Sequence, residues 1–460
     1  MNLPRLIVAD EVRRGRAPDG LTLVYALKRA GINMKLFLCA RDEADVYLLK
    51  SCLDEPLVVL DTYTCGSAKN MKNLFQAAAD PSALNLVLVS LGKREEDGIQ
   101  LRPDAMELVQ TLSCGIVPVF SAAAAAMLTS NIAMSVLSSF EAAEGGEDRV
   151  KGVIFTSVRT PREYQLLEQD YGRRTPILSL GYIPRDLERQ PFTLQDLYNP
   201  ATATRVLQLK SAGMQLAFAV NQIEWQILDA LGRLCQEWSP PQEIRTSSKN
   251  LRVAIVGDRA LSLEGRNGAE LFRLLGCEPV DYDPWRDVFP MDAEVIYFPH
   301  SMGCFYAEKL LEHEPFRRGI MQSIAANRLV FVNGASAPLF GRHFISPDGE
   351  KHKALGVFPF HGAYSPLKGE SDLHRVEIRC TADSFITRKE EKLRGYALDY
   401  VHISNPGNLV PSLMAYRDIR RNTELGSSGW VKGYCFITDL EIDLWSNVDF
   451  VNRWLALRKR

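Results

Sequence analysis

Residues 9–20 read ADEVRRGRAPDG, and three arginines, Arg13, Arg14 and Arg16, stand where a buried strand (Leu6 to Ala9) hands over to a helix starting near Leu21. Turns of this kind hold phosphate or carboxylate groups, because free backbone N–H groups and the helix dipole both favour an anion. Three guanidinium groups suit that chemistry. The other reading is a solvated run partly paired with Asp10, Glu11 and Asp19, since exposed pairs of that kind contribute little. The chain contains no G-x-x-x-x-G-K-[ST], and no cysteine is read in a strand-to-helix turn with glycine after it. Neither phosphoryl transfer nor a thiolate nucleophile is therefore announced by motif. The histidines (His300, His313, His343, His352, His361, His374, His402) include no H-E-x-x-H and no i, i+4 pair, so the sequence supports no metal site.

Bulk properties narrow the classes. The net charge is −2 with 54 basic and 56 acidic residues, which gives no reason to expect nucleic acid or an anionic membrane as partner. Nine cysteines lie singly, without a C-x-x-C pair, as expected of a reducing, cytoplasmic setting. The start of the chain lacks a basic-then-apolar leader pattern. The longest apolar stretch, Gly115 to Leu137, is interrupted by Ser121, Thr129, Ser130 and Asn131, so no membrane span is expected.

The elements that must position any chemistry follow from periodicity. Short runs that are apolar throughout, LIVA (6–9), KLFLC (35–39), PLVVLD (56–61), LNLVLVS (84–90), GIVPVF (115–120), VKGVIFTSV (150–158) and TPILSLGYI (175–183), alternate with helical patterns such as Leu21–Ala30, Met71–Ala79 and Pro161–Tyr171. Such strands belong in parallel sheets covered on both faces. Residues 200–236 read as mostly helical, and SPPQEIRTSSKN (239–250) reads as a linker. A second α/β pattern follows in LRVAIVG (251–257), EVIYFP (294–299) and RLVFVNG (328–334), with helices over Gly268–Leu275 and Tyr306–Glu312 and a more β-rich last stretch. The fold class is α/β, with two α/β domains, each a mainly parallel sheet with helices on both faces. The boundaries are 1–236, a linker at 237–250, and 251–460.

Several ungapped blocks in both halves resemble the cobyrinic acid a,c-diamide synthase family. That family joins a dethiobiotin-synthetase-like ATP domain to a class I glutamine amidotransferase domain. Its segment from F-K-V-G-P-D-Y-I-D to R-N-L-D is matched by FLCARDEADVYLLKSCLDEPLVVLD (37–61), and its E-G-V-M-G-L-Y-D-G by SLGKREEDG (90–98). G-V-I-L-N-R-V is matched by GVIFTSV (152–158) and L-G-x-L-P-R-D by LGYIPRD (180–186). In the second half L-Y-L-G-G-G-Y-P-E-L-Y-A-E-E-L is matched by IYFPHSMGCFYAEKL (296–310), and R-G-H-E-F-H-Y by RGYALDY (394–400).

The resemblance implies where chemistry should sit, and this chain departs from it there. The family's G-V-G-K-T-T falls on RRGRAP: Gly15 survives, Arg16 replaces the lysine, and Ala17 and Pro18 replace the threonines that would serve Mg²⁺. Ser90 stands at a family carboxylate, a position near Ala123 at a family aspartate, Leu38 at a lysine and Thr156 at a base-contacting asparagine. In the second domain the nucleophile's A-E-C-G-G falls on VNGAS, which places Gly334 at the cysteine. S-Y-L-H-L-H falls on TDLEID, which places Glu441 and Asp443 at the histidines, and the oxyanion-side G-G-G becomes Pro299, His300 and Ser301. Asp42, Asp45 and Asp97 are kept at family positions on the substrate side, where they would meet a ligand or cap helices.

The expectation is a pseudoenzyme with no catalytic residues, in which the family's ATP and Mg²⁺ are both doubtful as cofactors. Such a scaffold would bind a tetrapyrrole-like ligand in the cleft between its domains, or a protein partner such as a catalytic paralogue or a further copy of itself. The alternatives are an ATP-dependent amidoligase of tetrapyrrole biosynthesis with altered motifs, and a structural subunit of a larger assembly. Tyr297, Phe298, Phe305, Tyr306, Phe358, Phe360 and Tyr396 would either stack on a macrocycle or fill the core.

Overall fold

The structure, a computed structural model, describes residues 2–12, 19–39, 46, 49–50, 57–94, 98–122, 126–142, 148–185, 211, 223, 225–241, 244, 250–257, 264–301, 303–366, 373–418 and 423–459. They form two compact units, Met1–Thr62 with Ala78–Pro241, and Tyr63–Ala77 with Gln242–Arg460. A segment from the N-terminal half, Tyr63–Ala77, is thus counted with the second unit. Among the described residues no helix is long and apolar enough to cross a membrane.

The first unit is built on eight strands: β1 (Arg5–Val12), β2 (Met34–Cys39), β3 (Val58–Leu60), β4 (Leu84–Arg94), β5 (Ile99–Leu101), β6 (Gly115–Ser121), β7 (Val153–Val158) and β8 (Ser179–Pro184). Their order is β3-β2-β4-β1-β6-β7-β8, with β5 attached to β4. All pairs along that path are parallel and only β5 runs antiparallel. Every residue of β6 and β7 is buried, so apolar side chains on alternate faces are both covered, as the unbroken runs predict. Local rules place the helices. Thr160 caps the helix Pro161–Gly172, its hydroxyl accepting from Glu163 N at 3.1 Å, while the Glu163 carboxylate reaches back to accept from Arg159 N at 2.7 Å. Within the predicted helical stretch 200–236, the described helix is Trp225–Arg233; residues 200–210, 212–222 and 224 lie outside the described residues. Arg5 is fully buried at the start of β1, donating to Leu112 O at 2.5 Å and to Gln236 O at 2.8 Å.

The second unit holds a six-stranded sheet ordered β10-β9-β11-β12-β22-β21, from β9 (Arg252–Val256), β10 (Glu278–Tyr282), β11 (Val295–Phe298), β12 (Leu329–Asn333), β21 (Trp430–Lys432) and β22 (Cys435–Thr438). It is parallel except at β21. Two smaller sheets account for the β-rich remainder. One joins β13 (His343–Ile345), β14 (Lys351–Lys353), β15 (His361–Tyr364) and β18 (Val401–Ser404). The other joins β16 (Leu373–Cys380), β17 (Lys392–Leu398), β19 (Leu413–Asp418), β20 (Thr423–Ser428) and β23 (Glu441–Ile442) and is antiparallel. Aromatic edges pack the core of the main sheet: Phe331 meets Tyr297, Phe436 and Trp454 at ring separations of 5.6, 5.1 and 5.5 Å.

Candidate functional site

In a parallel sheet the carboxyl ends of the central strands carry the site, because the loops that follow them diverge there. In the first unit those ends belong to β1, β4 and β6. Register places Asp10 of β1 beside Ser90 of β4 and Val119 of β6, so Ser90 lies toward the carboxyl end of the central strands. Its hydroxyl oxygen is buried and has no hydrogen-bond partner among the described residues. The next residue of β1, Glu11, is buried, and its carboxylate accepts from Ser121 N at 2.9 Å. Leu38 and Thr156 are buried within β2 and β7. Arg13, Arg14, Gly15, Arg16, Ala17, Asp42, Asp45 and Asp97 lie outside the described residues, as do Pro18 and Ala123. Sequence reasoning treated Glu11 only as a partner for arginines; its burial and its bond across the strand ends were not signalled.

The second unit shows its site more fully. β12 ends at Asn333, and Gly334 turns the chain with φ +65° into a 3-10 helix, Gly334–Phe340. A strand that passes through a left-handed residue straight into a helix has the backbone form of a nucleophile elbow, which projects one side chain over the sheet, and glycine adopts that φ without strain. Here nothing is projected, and the space is taken. A Cβ added at Gly334 would lie 2.6 Å from His300 Nδ1 and 3.1 Å from its Cγ, closer than atoms can approach. His300 follows β11 and is fully buried. Ala335 N, the amide that follows the nucleophile position, donates to His300 Nδ1 at 3.4 Å. In an elbow enzyme that amide belongs to the oxyanion hole; here it faces an imidazole. With Nδ1 accepting, the ring proton is assigned to Nε2, which faces Tyr400 Oη at 3.5 Å and Glu441 Oε2 at 3.8 Å.

The surroundings are equally filled. Ser301 and Ser336 hydroxyls share a buried 3.0 Å hydrogen bond, and Tyr364 Oη donates to Ala335 O at 2.8 Å. Asn333 donates to Ile442 O at 2.9 Å and accepts from Ile442 N at 2.8 Å, while Gly334 N donates to Leu440 O at 3.0 Å. These bonds fix the Thr438–Asp443 stretch against the elbow. Tyr297 Oη donates to the buried Glu264 carboxylate, and burial together with that carboxylate holds the phenol well above its ordinary pKa. Glu441 is buried within this network.

Asp443 goes elsewhere. It accepts from Thr64 Oγ1 at 2.5 Å and from Trp445 N at 2.9 Å. Asn70 donates to Trp445 O at 2.8 Å, Arg394 donates to Tyr63 O at 3.0 Å, and the Arg375 and Arg394 guanidinium groups stack on the Tyr63 ring at 5.4 and 5.0 Å. Two positions assigned together from the resemblance are therefore separated in role, Glu441 beside His300 and Asp443 holding the Tyr63–Ala77 segment.

One sequence statement is corrected. Cys65 with Gly66 does stand between a strand, β3, and a helix, Ala68–Ala78. A strand over 56–61 and a helix from Met71 were both read from the sequence, yet TYTCGSAKN between them was not read as a strand-to-helix turn. Cys65 is wholly buried, so no substrate reaches its sulfur. Burial also pushes the thiols of Cys114 and Cys380 up to about 12 and that of Cys435 higher still, the opposite of what a thiolate nucleophile needs. The aromatic candidates Tyr297, Phe298, Phe358, Phe360 and Tyr396 are core, each less than a tenth exposed. The side chains of Phe305 and Tyr306 lie outside the described residues. Among the described residues, no group of three or more His, Cys, Asp or Glu comes together as a metal site would require.

The fold and site define an α/β protein in which a glycine stands at a strand-to-helix turn with a buried histidine packed against it. Comparison with known proteins agrees with that class. The chain is 21% identical over 399 residues to a cobyrinate a,c-diamide synthase of Caldanaerobacter subterraneus, covering 86% of each chain. It is 20% identical over 476 residues to the cobyrinate a,c-diamide synthase of Listeria innocua, covering 99% of each. A solved glutamine amidotransferase overlaps 45% of this chain and 99% of its own at 12% identity and a TM-score of 0.34. No protein-family model matches. The chain is similar to the cobyrinate a,c-diamide synthase family over nearly its whole length.

Proposed function

We propose that this protein is a non-catalytic relative of the diamide synthases, a scaffold that binds a tetrapyrrole-like ligand or a protein partner without ATP or glutamine chemistry. The observation that carries the reading is the pairing of Gly334 with His300: the imidazole fills the volume into which a nucleophile's side chain would project. Glutamine hydrolysis by this route needs a thiolate, a base and a free oxyanion donor. The first is replaced by hydrogen, the second by the Glu441 carboxylate, and the third faces His300 Nδ1.

The described residues of the first unit do not fit Mg-ATP either. Ser90 supplies no carboxylate for the metal, Leu38 offers no charge to phosphate, and the buried Glu11 carboxylate at the strand ends opposes a polyanion. The tetrapyrrole arm rests on the relatives, which are named for action on cobyrinate. Purified protein incubated with glutamine, Mg-ATP and cobyrinate is expected to release no ammonia or phosphate above a protein-free control. Ammonia release that one substitution abolishes would overturn the reading. A spectroscopic titration with corrinoids then separates ligand binding, seen as a saturable shift in the visible bands, from the partner-binding arm, which leaves the bands unchanged.

A further inference from the structure

We infer that the second unit carries a docking groove for an acidic polypeptide segment. Three open cavities adjoin one another on it. The first, about 430 Å³, is bounded by the helix Glu314–Ala325 and by Lys353 of β14. It shares Met321 with a second of about 240 Å³, which in turn shares Gly356, Val357 and Lys432 with a third of about 400 Å³. Through these shared residues the three lie side by side as a trough.

Its charge is lopsided. The ionisable side chains lining it are Arg317, Arg318, Arg328, Arg342, Lys353 and Lys432 against the single carboxylate of Glu314. In a chain with 54 basic and 56 acidic residues, an ordinary trough would carry both signs about equally. Glu314 is taken up by Arg318 one helical turn away. Arg317, Arg328, Arg342, Lys353 and Lys432 make no ion pair among the described residues, and Lys432 and Arg317 are oriented by the carbonyls of Val357 and Leu311 at 2.6 and 3.3 Å. Like charges gathered in this way repel one another unless a counter-charge is shared.

The floor is apolar. Leu311, Val357 and Phe358 close it, and Met321 and Tyr434 lie open along it at 41% and 44% exposure. A single small anion would need convergent donors, whereas these cations are strung along three cavities. A nucleic acid would need a row of stacking rings, and Tyr434 is the one exposed ring in the lining. An extended chain that alternates carboxylates with apolar side chains meets both the rim and the adaptable methionine floor. The groove residues take no part in the site around Gly334, so this inference stands whether or not that site is silent.

The test is fluorescence anisotropy of the full chain with a fluorescein-labelled peptide of alternating glutamate and leucine, alongside its glutamine counterpart and a labelled single-stranded oligonucleotide. Saturable binding of the glutamate peptide is expected, weakened at least tenfold by raising salt from 50 to 300 mM (roughly 13 to 6 Å in screening length) and at least tenfold in Arg317→Glu/Lys353→Glu. Arg342→Glu, at the other end of the trough, is expected to weaken it severalfold. All three residues are exposed, so circular dichroism should report an unchanged fold. Absence of saturable binding, equal binding by the charge-reversed variants, or tighter binding of the oligonucleotide would overturn the inference.

Discussion

At the scale of single residues, Gly334 and His300 form a lock. Placing cysteine at 334 alone asks a side chain to adopt φ +65° and to overlap an imidazole 2.6 Å away. We expect Gly334→Cys to lose about 2–4 kcal/mol in urea unfolding, with His300→Gly in the same chain recovering a part of it and neither form releasing ammonia from glutamine. Recovery of nothing would show that His300 is not the obstruction. Asp439 offers a second test. Burial pushes its carboxyl up to about 6 from an ordinary 3.8, with the Ser428 hydrogen bond pulling the other way. The folded state then holds the proton more tightly than the unfolded one, so stability from this group is full below about pH 4 and is lost as pH rises toward 6. The melting temperature of Asp439→Asn relative to the parent should therefore climb between pH 4 and pH 7; a constant gap would refute the assignment. The resemblance drew attention to Gly334, Glu441 and Asp443 from residue blocks alone. It could not reveal that His300 fills the vacated volume, because an imidazole's target depends on a rotamer and on strands far apart in sequence.

Among the elements, the parallel strands were legible because burial on both faces leaves runs such as GIVPVF and VIFTSV apolar throughout. Boundaries slipped where that signal fades: TPILSLGYI narrows to a strand at Ser179–Pro184, and the helix read from Met71 begins at Ala68. The grouping of Tyr63–Ala77 with the second unit left no trace in periodicity, since it depends on polar contacts between distant residues. Those contacts make a prediction. Thr64→Val removes one hydrogen bond to a carboxylate and should lower stability by about 1–2 kcal/mol. Asp443→Ala removes that bond and the one from Trp445 N, and should cost more. In the double variant the losses should fall short of their sum by about 1 kcal/mol, measured by urea unfolding. Strict additivity would mean that the Thr64–Asp443 bond contributes nothing.

On the scale of the whole molecule, a net charge of −2 conceals an uneven distribution. Composition argued that bulk electrostatics favour no polyanionic partner, yet it is blind to a trough whose cations come from a helix, two edge strands and two connecting segments. Fold class was readable because α/β alternation is a property of the full chain. Candidate site positions could be proposed only from spacing, since Gly334 carries no chemical signature of its own. The Gly334–His300 contact has a final consequence, for the protein's history. A glycine codon can become a cysteine codon through one base change, so on the reading proposed above a lost nucleophile would by itself be readily restored. With His300 Nδ1 2.6 Å from where a Cβ at 334 would stand, such a change is sterically costly unless the histidine leaves as well. On the non-catalytic reading proposed above, the pair would act as a ratchet, under which single mutations find the return to a side chain at 334 steeply uphill.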